Sequence, residues 1–217
     1  LLVTDQNNVS DSSSVPVRVE NPEFGSWLSQ GADESNAYSP VATAPTHDVE
    51  LNQTISSVDT ISEEPVVSDG YIYVPENSKM TKVTESGEEI WTREVSSPTV
   101  PALTNHSVFV GDSGGTVHAY SRFDGDEVWS YDTPTADDGN GVSSPVTSEG
   151  IMFFTSYTRD YNDNDEWYIH AVDPSTGEQL WRAGFKKSSG ATINSYTPVV
   201  DDGVVYAVAS KGQLRAF

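Results

Sequence analysis

Pro65-Val-Val-Ser-Asp-Gly70-Tyr-Ile-Tyr-Val74 is the stretch that decides the fold, because the chain repeats it three more times. The other copies are Pro101-Ala-Leu-Thr-Asn-His106-Ser-Val-Phe-Val110, Pro145-Val-Thr-Ser-Glu-Gly150-Ile-Met-Phe-Phe154 and Pro198-Val-Val-Asp-Asp-Gly203-Val-Val-Tyr-Ala207. In each, a Pro opens a short apolar segment, a turn follows, and an aromatic-bearing β segment comes after it. A second signature closes the first three copies, a Gly four residues before a Trp: Gly87/Trp91, Gly125/Trp129 and Gly177/Trp181. The opening prolines lie 36, 44 and 53 residues apart. Units of this length made of short strands stack into a solenoid or a β-propeller, since one unit cannot cover its own apolar faces.

Within each unit, Val, Ile, Tyr and Phe fill runs of four to seven residues that Gly, Asn and Asp interrupt, which is the pattern of strands and tight turns. Four strands per unit predict an all-β fold, a β-propeller of four-stranded antiparallel blades. The blades run over about 64–95, 99–131, 143–184 and 196–217, and Trp91, Trp129 and Trp181 are expected between neighbouring blades. The fourth copy holds three strands. Residues 49–56 have the period of a fourth strand and are expected to complete that last blade, with Asn52 where other copies have Trp, in whatever ring exists. More blades beyond Phe217, and a dimer sharing eight blades, stay open. Ahead of the 49–217 propeller, residues 1–20 are polar and without periodicity, a flexible tail. Residues 21–48 mix turn formers with Trp27 and Tyr38, an irregular segment clamped onto the domain.

The start Pro-Val-Val-x-Asp-Gly-x-x-Tyr-Val and the end Asp173-Pro-Ser-Thr-Gly177-Glu-x-x-Trp181 resemble the repeats of the PQQ-like (quinoprotein-type) β-propeller family. The likeness covers residues 64–217, with Thr176-Gly-Glu-Gln-Leu-Trp181 its most specific piece. The leading stretch Trp27…Gln30-Gly31…Asn36-x-Tyr38-x-Pro40 is similar to that of salt-adapted archaeal members. The resemblance implies the fold. In the quinone-dependent dehydrogenases of this family, a quinone stacks on a Trp and calcium works with an Asp base. Many also place two adjacent cysteines against the quinone. This chain has no Cys and no segment matching those positions, so no catalytic residue is carried over and PQQ is not expected.

Charge narrows the setting. Eleven Lys and Arg face 33 Asp and Glu, a net charge of −22 spread over every segment. Such a surface repels itself in dilute buffer and is relieved where molar salt screens within roughly 3 Å. It fits a salt-rich environment and excludes nucleic acid, whose phosphates need a basic footprint. No apolar run approaches the ~20 residues of a transmembrane helix. Three N-glycosylation sequons begin at Asn8, Asn52 and Asn105, which agrees with an extracellular or surface location.

Few residues suggest chemistry. Asp160, Asn162, Asn164 and Asp165 lie in one loop with oxygen donors at alternate positions, a calcium-like run. The twelfth position is Ala171 rather than Glu, which excludes an EF-hand. His118, His170 and Arg215 align at one position of the third strand, with Thr81 in the first unit. They share one blade face, as structural hydrogen-bonding groups or as an anion-binding ring. No Gly-x-Ser-x-Gly elbow appears. The sequence therefore points to a non-catalytic extracellular scaffold that binds a protein or glycan, or a surface structural protein of a salt-adapted organism or its virus. The alternative is a fragment or divergent relative of a PQQ-dependent dehydrogenase. Neither reading fixes the oligomeric state.

Overall fold

The computed structural model describes residues 54–55, 60–134, 141–157, 166–186, 196–209 and 213–217. These residues form strands and turns without a helix. Blade 1 is β1 (Val66–Ser68), β2 (Tyr71–Glu76), β3 (Lys79–Thr84) and β4 (Glu89–Glu94). Blade 2 is β5 (Ala102–Leu103), β6 (Ser107–Gly111), β7 (Thr116–Ser121) and β8 (Glu127–Asp132). Blade 3 is β9 (Val146–Ser148), β10 (Ile151–Tyr157), β11 (Glu166–Val172) and β12 (Gln179–Lys186). The fourth sheet has three strands, β13 (Val199–Asp201), β14 (Val204–Ala209) and β15 (Gln213–Ala216). Every sheet is an antiparallel meander in chain order, the architecture of a β-propeller blade.

The turns follow from their residues. Between first and second strands, Asp69-Gly70, Glu149-Gly150 and Asp202-Gly203 all take positive φ, the two-residue hairpin turn that matches strand twist. Blade 2 departs from this. Its turn passes through Asn105-His106, closed by the Thr104 amide on the Ser107 carbonyl at 3.0 Å. Between third and fourth strands the ladder slips once at Lys82/Val83, Ala119/Tyr120 and Ala171/Val172. This bulge in every complete blade leads into the signature Gly.

The core lies between the sheets. One cluster joins Tyr73, Met80 and Trp91 to Leu103, Val108 and Tyr120 across blades 1 and 2. A second joins Phe109, Val117 and Ala119 to Met152, Phe154 and Val172 across blades 2 and 3. A third joins Phe153, Trp167 and Ile169 to Val200, Val205 and Ala207 across blade 3 and the last sheet. The inter-blade packing expected of repeat proteins is therefore how this chain buries its apolar surface. Of the segment expected to complete the last blade, only 54–55 belong to the described residues.

Candidate functional site: the blade seams and the turns beside them

Two of the seams are framed by a glycine on an indole. Gly125 and Gly177 sit at φ +74° and +75°, and a Cβ on either would lie 2.7 Å from the ring of Trp91 or Trp129. Only glycine meets both demands, a left-handed backbone and direct contact with an indole. The indole N–H then donates to the carbonyl three residues before that glycine, Trp91 to Arg122 at 3.4 Å and Trp129 to Pro174 at 3.1 Å. Over Gly87 the covering side chain is Ile55, 3.5 Å from where a Cβ would stand. Ile55, not Asn52, thus takes the place of Trp. The signal was present: Ile55 precedes Pro65 by the same interval that Trp91 precedes Pro101.

Trp181 differs from its two counterparts. It stacks at 28° on Phe217, ring centres 6.3 Å apart, where the other two press on a glycine turn, and like Trp129 it is half-buried. Beside it runs a groove of about 330 Å³ lined by Ile151, Phe153, Trp181, Ala183, Gly203, Val205 and Phe217.

The seam of blades 1 and 2 is filled with cations. Arg122, 6% exposed, donates to the Tyr73 hydroxyl at 3.0 Å, the Thr104 carbonyl at 2.8 Å, and Ser68 Oγ and Asp69 Oδ2 at 2.9 Å. Lys82 donates to the Arg122 carbonyl at 2.6 Å and lies 3.9 Å over the Tyr71 ring. Burial, and then the Arg122 charge, lower the Lys82 pKa. Arg93 grips the turn of the next blade through the carbonyls of Gly125 and Asp124 and the carboxylate of Asp126. Sequence reasoning missed this network. Its signal was Arg122 itself, which stands where the third unit has Pro174.

The seam of blades 2 and 3 is neutral. Tyr131 gives its single hydroxyl proton to Gln179 Oε1 at 2.8 Å. Its oxygen therefore accepts from His170 Nδ1–H at 3.2 Å, which leaves Nε2 to accept from Ser156 Oγ at 2.8 Å. His170 is fully buried and stacks on Phe154 at 4.8 Å and 8°. Burial first, then the Arg182 charge, push its pKa down to about 3. Ser156 and His170 have the spacing of a nucleophile and its base. Both are 0% exposed, so no substrate can reach them.

The aligned third-strand residues do occupy equivalent ladder positions, opposite Val74, Val110, Phe154 and Ala207. Their surroundings differ. Thr81 bonds Thr92 at 3.1 Å. His118 is held between Asp112 at 3.5 Å and Glu127 at 3.3 Å. Partial burial alone would lower its pKa, but hydrogen bonds to Asp112 and Glu127 outweigh this and raise it. Arg215 is half-buried in β15. His118 thus meets carboxylates and His170 meets hydroxyls. Asp160, Asn162, Asn164, Asp165, Asn8 and Asn52 lie outside the described residues, while Asn105 is exposed at its hairpin tip. Among the described residues no three His, Cys, Asp or Glu gather as a metal site.

The profile of the family described as outer membrane protein assembly factor BamB matches residues 39–131 and 133–217. The chain belongs to this family of PQQ-like repeats. The BamB of Yersinia pestis is 25% identical over 61% of this chain and 47% of its own length. Tetrathionate hydrolase of Acidithiobacillus ferrooxidans is 29% identical over 58% of this chain and 25% of its own. A europium-containing methanol dehydrogenase superposes with a TM-score of 0.60 at 15% identity, over 73% of this chain and 32% of that one. That last likeness shows the fold alone. The chain spans less than half the length of these relatives.

A quinone of the dehydrogenase type does not fit the described residues. Trp91 and Trp129 press against glycine turns, and Trp167 is 2% exposed. The groove beside Trp181 is lined by apolar side chains and glycine, with no cationic side chain for an anionic quinone and no side-chain oxygen ligand for calcium.

Proposed function

We propose that this chain is a non-catalytic propeller scaffold that works at the surface of a salt-adapted cell or virion and binds a protein or glycan partner. The observation that carries it is the use of the repeat tryptophans and of His170 within the seams, with the Ser156–His170 pair fully buried among the described residues. The match to a family of assembly factors supports a partner-binding role. The charge of −22 supports a salt-rich setting. Among the described residues no helix is long and apolar enough to cross a membrane.

The test is cross-linking and capture of the tagged protein in molar salt, beside a titration with PQQ and calcium followed by absorbance. A specific partner and an unchanged spectrum are expected. Saturable quinone uptake dependent on calcium would replace the scaffold reading with that of a divergent dehydrogenase. Light scattering in the same buffer assigns the oligomeric state.

A further inference from the structure

Blade 2 breaks the repeat at two places on one end of the fold, and the two breaks touch. The hairpin that elsewhere reads Asp-Gly or Glu-Gly with positive φ becomes Asn105-His106. The turn that carries Ser175 in blade 3 carries Phe123 here, 71% exposed. Strands alternate in direction, so both turns project from the same end of the blade. The ring centres of His106 and Phe123 are 6.5 Å apart at 56°, and the Arg122 amide ties the two turns through the His106 carbonyl at 2.8 Å. Beyond its contact with His106, the Phe123 ring leaves most of its surface to solvent. Beside it, Asn105 opens the sequon Asn105-His106-Ser107, exposed at the hairpin tip.

We infer that Asn105 carries an N-linked glycan whose first sugar lies on the Phe123 and His106 rings. The inference rests on the exported reading above. The Asn105 amide nitrogen bonds to the anomeric carbon of a glycan carried on a lipid phosphate. The anomeric carbon–oxygen bond breaks, the lipid phosphate leaves with the electron pair, and the amide loses one proton to solvent. A pyranose face presents polarised C–H bonds that suit the negative face of an aromatic ring. Ser107, which the sequon requires, is 9% exposed and starts β6. Transfer therefore precedes the zipping of β6 onto its neighbours.

The test is mass spectrometry of the peptide holding Asn105, from protein exported by its own organism and from protein made in a host without N-glycosylation. The exported peptide is expected to carry a sugar mass that Asn105→Gln removes and Ser107→Thr retains. The glycosylated protein should melt about 2–4 °C above the bare one, and Phe123→Ser should erase that difference without changing occupancy. Exported protein with a bare Asn105 overturns this inference and leaves the scaffold reading standing. Protein recovered only from the cytoplasm overturns the exported reading and this inference with it. A melting difference that survives Phe123→Ser overturns the aromatic platform.

Discussion

The seam between blades 1 and 2 and the seam between blades 2 and 3 share one frame and have opposite fillings. Both place an indole on a left-handed glycine and bond the indole N–H to the carbonyl three residues earlier. The first is then filled by Arg122 and Lys82 around Tyr73, with Asp69 as the carboxylate. The second is filled by an uncharged chain from Ser156 through His170 and Tyr131 to Gln179. In these two seams the frame is set by backbone sterics. The filling needs only to satisfy its polar groups in a desolvated space, which many residue sets can do. Fold thus resides in the frame, and the response to pH and salt resides in the filling.

Breaking the frame should cost most. Gly125→Val or Gly177→Val drives a side chain into an indole and adds a strained φ, and each is expected to lose more than ~4 kcal/mol. Gly87→Val meets only Ile55 at 3.5 Å and should cost about 1–3 kcal/mol of backbone strain. Thermal melting in molar salt compares the three. Equal losses at Gly87 and Gly125 would sink the claim that the indole contact dominates. Next come the indoles themselves. Trp91→Ala, at a buried indole, is expected to cost ~3–5 kcal/mol. Half-buried Trp129 and Trp181 should each cost roughly half as much. A Trp181→Ala loss as large as that of Trp91→Ala would show that its groove is covered in solution.

The fillings separate by pH. His170 binds no proton in the folded state until about pH 3, whereas the unfolded chain binds one near its ordinary 6.5. Stability from this group is therefore complete above 6.5 and lost as pH falls from there towards 3, up to roughly 4 kcal/mol. His170→Gln should flatten that part of the stability curve, measured as the difference from the wild-type protein so that carboxylate titration cancels. A parallel slope in both proteins would contradict the buried neutral imidazole. In the other seam, Arg122→Gln removes the donor to the buried Tyr73 hydroxyl and should cost about 1–3 kcal/mol. Its loss should be readable at neutral pH without any acid slope.

The frame was legible in the sequence because sterics leave one solution: the spacing of Gly87, Gly125 and Gly177 from Trp91, Trp129 and Trp181 foretold blades and inter-blade contacts. The blade spans follow, with β1 to β4, Val66 to Glu94, inside the expected 64–95. The fillings were not legible. His118 and His170 look alike as letters, and only the partners folded against them distinguish a carboxylate clamp from a buried neutral ring. Those partners come from another blade in the case of Tyr131, 39 residues away. Arg122 hid for a related reason, because a cation on a turn normally points to water and this one turns back under Tyr73. Asn52 was placed three residues from Ile55, the residue that covers Gly87, since no Gly or Trp within that short stretch anchors its register.

The smallest effect should come from the second histidine, and its sign is the sharpest comparison available. His118 has its pKa raised by Asp112 and Glu127 against the opposing pull of partial burial. The folded state therefore holds this proton more tightly than the unfolded chain. Its contribution is complete below the ordinary value of 6.5 and fades as pH rises through the folded value, the reverse of His170. Asp112 also caps its own turn, accepting from the amides of Gly114 and Thr116 at 2.9 and 2.8 Å, so it keeps its place when His118 is neutral. The loss above pH 6.5 should accordingly be small, and His118→Gln should remove only that slope. Because His118 pairs with Glu127, whose side chain is half-exposed, molar salt should shrink its slope while leaving that of buried His170 unchanged. Matching salt responses for the two histidines would mean that both sit in one electrostatic environment, against the geometry of their seams.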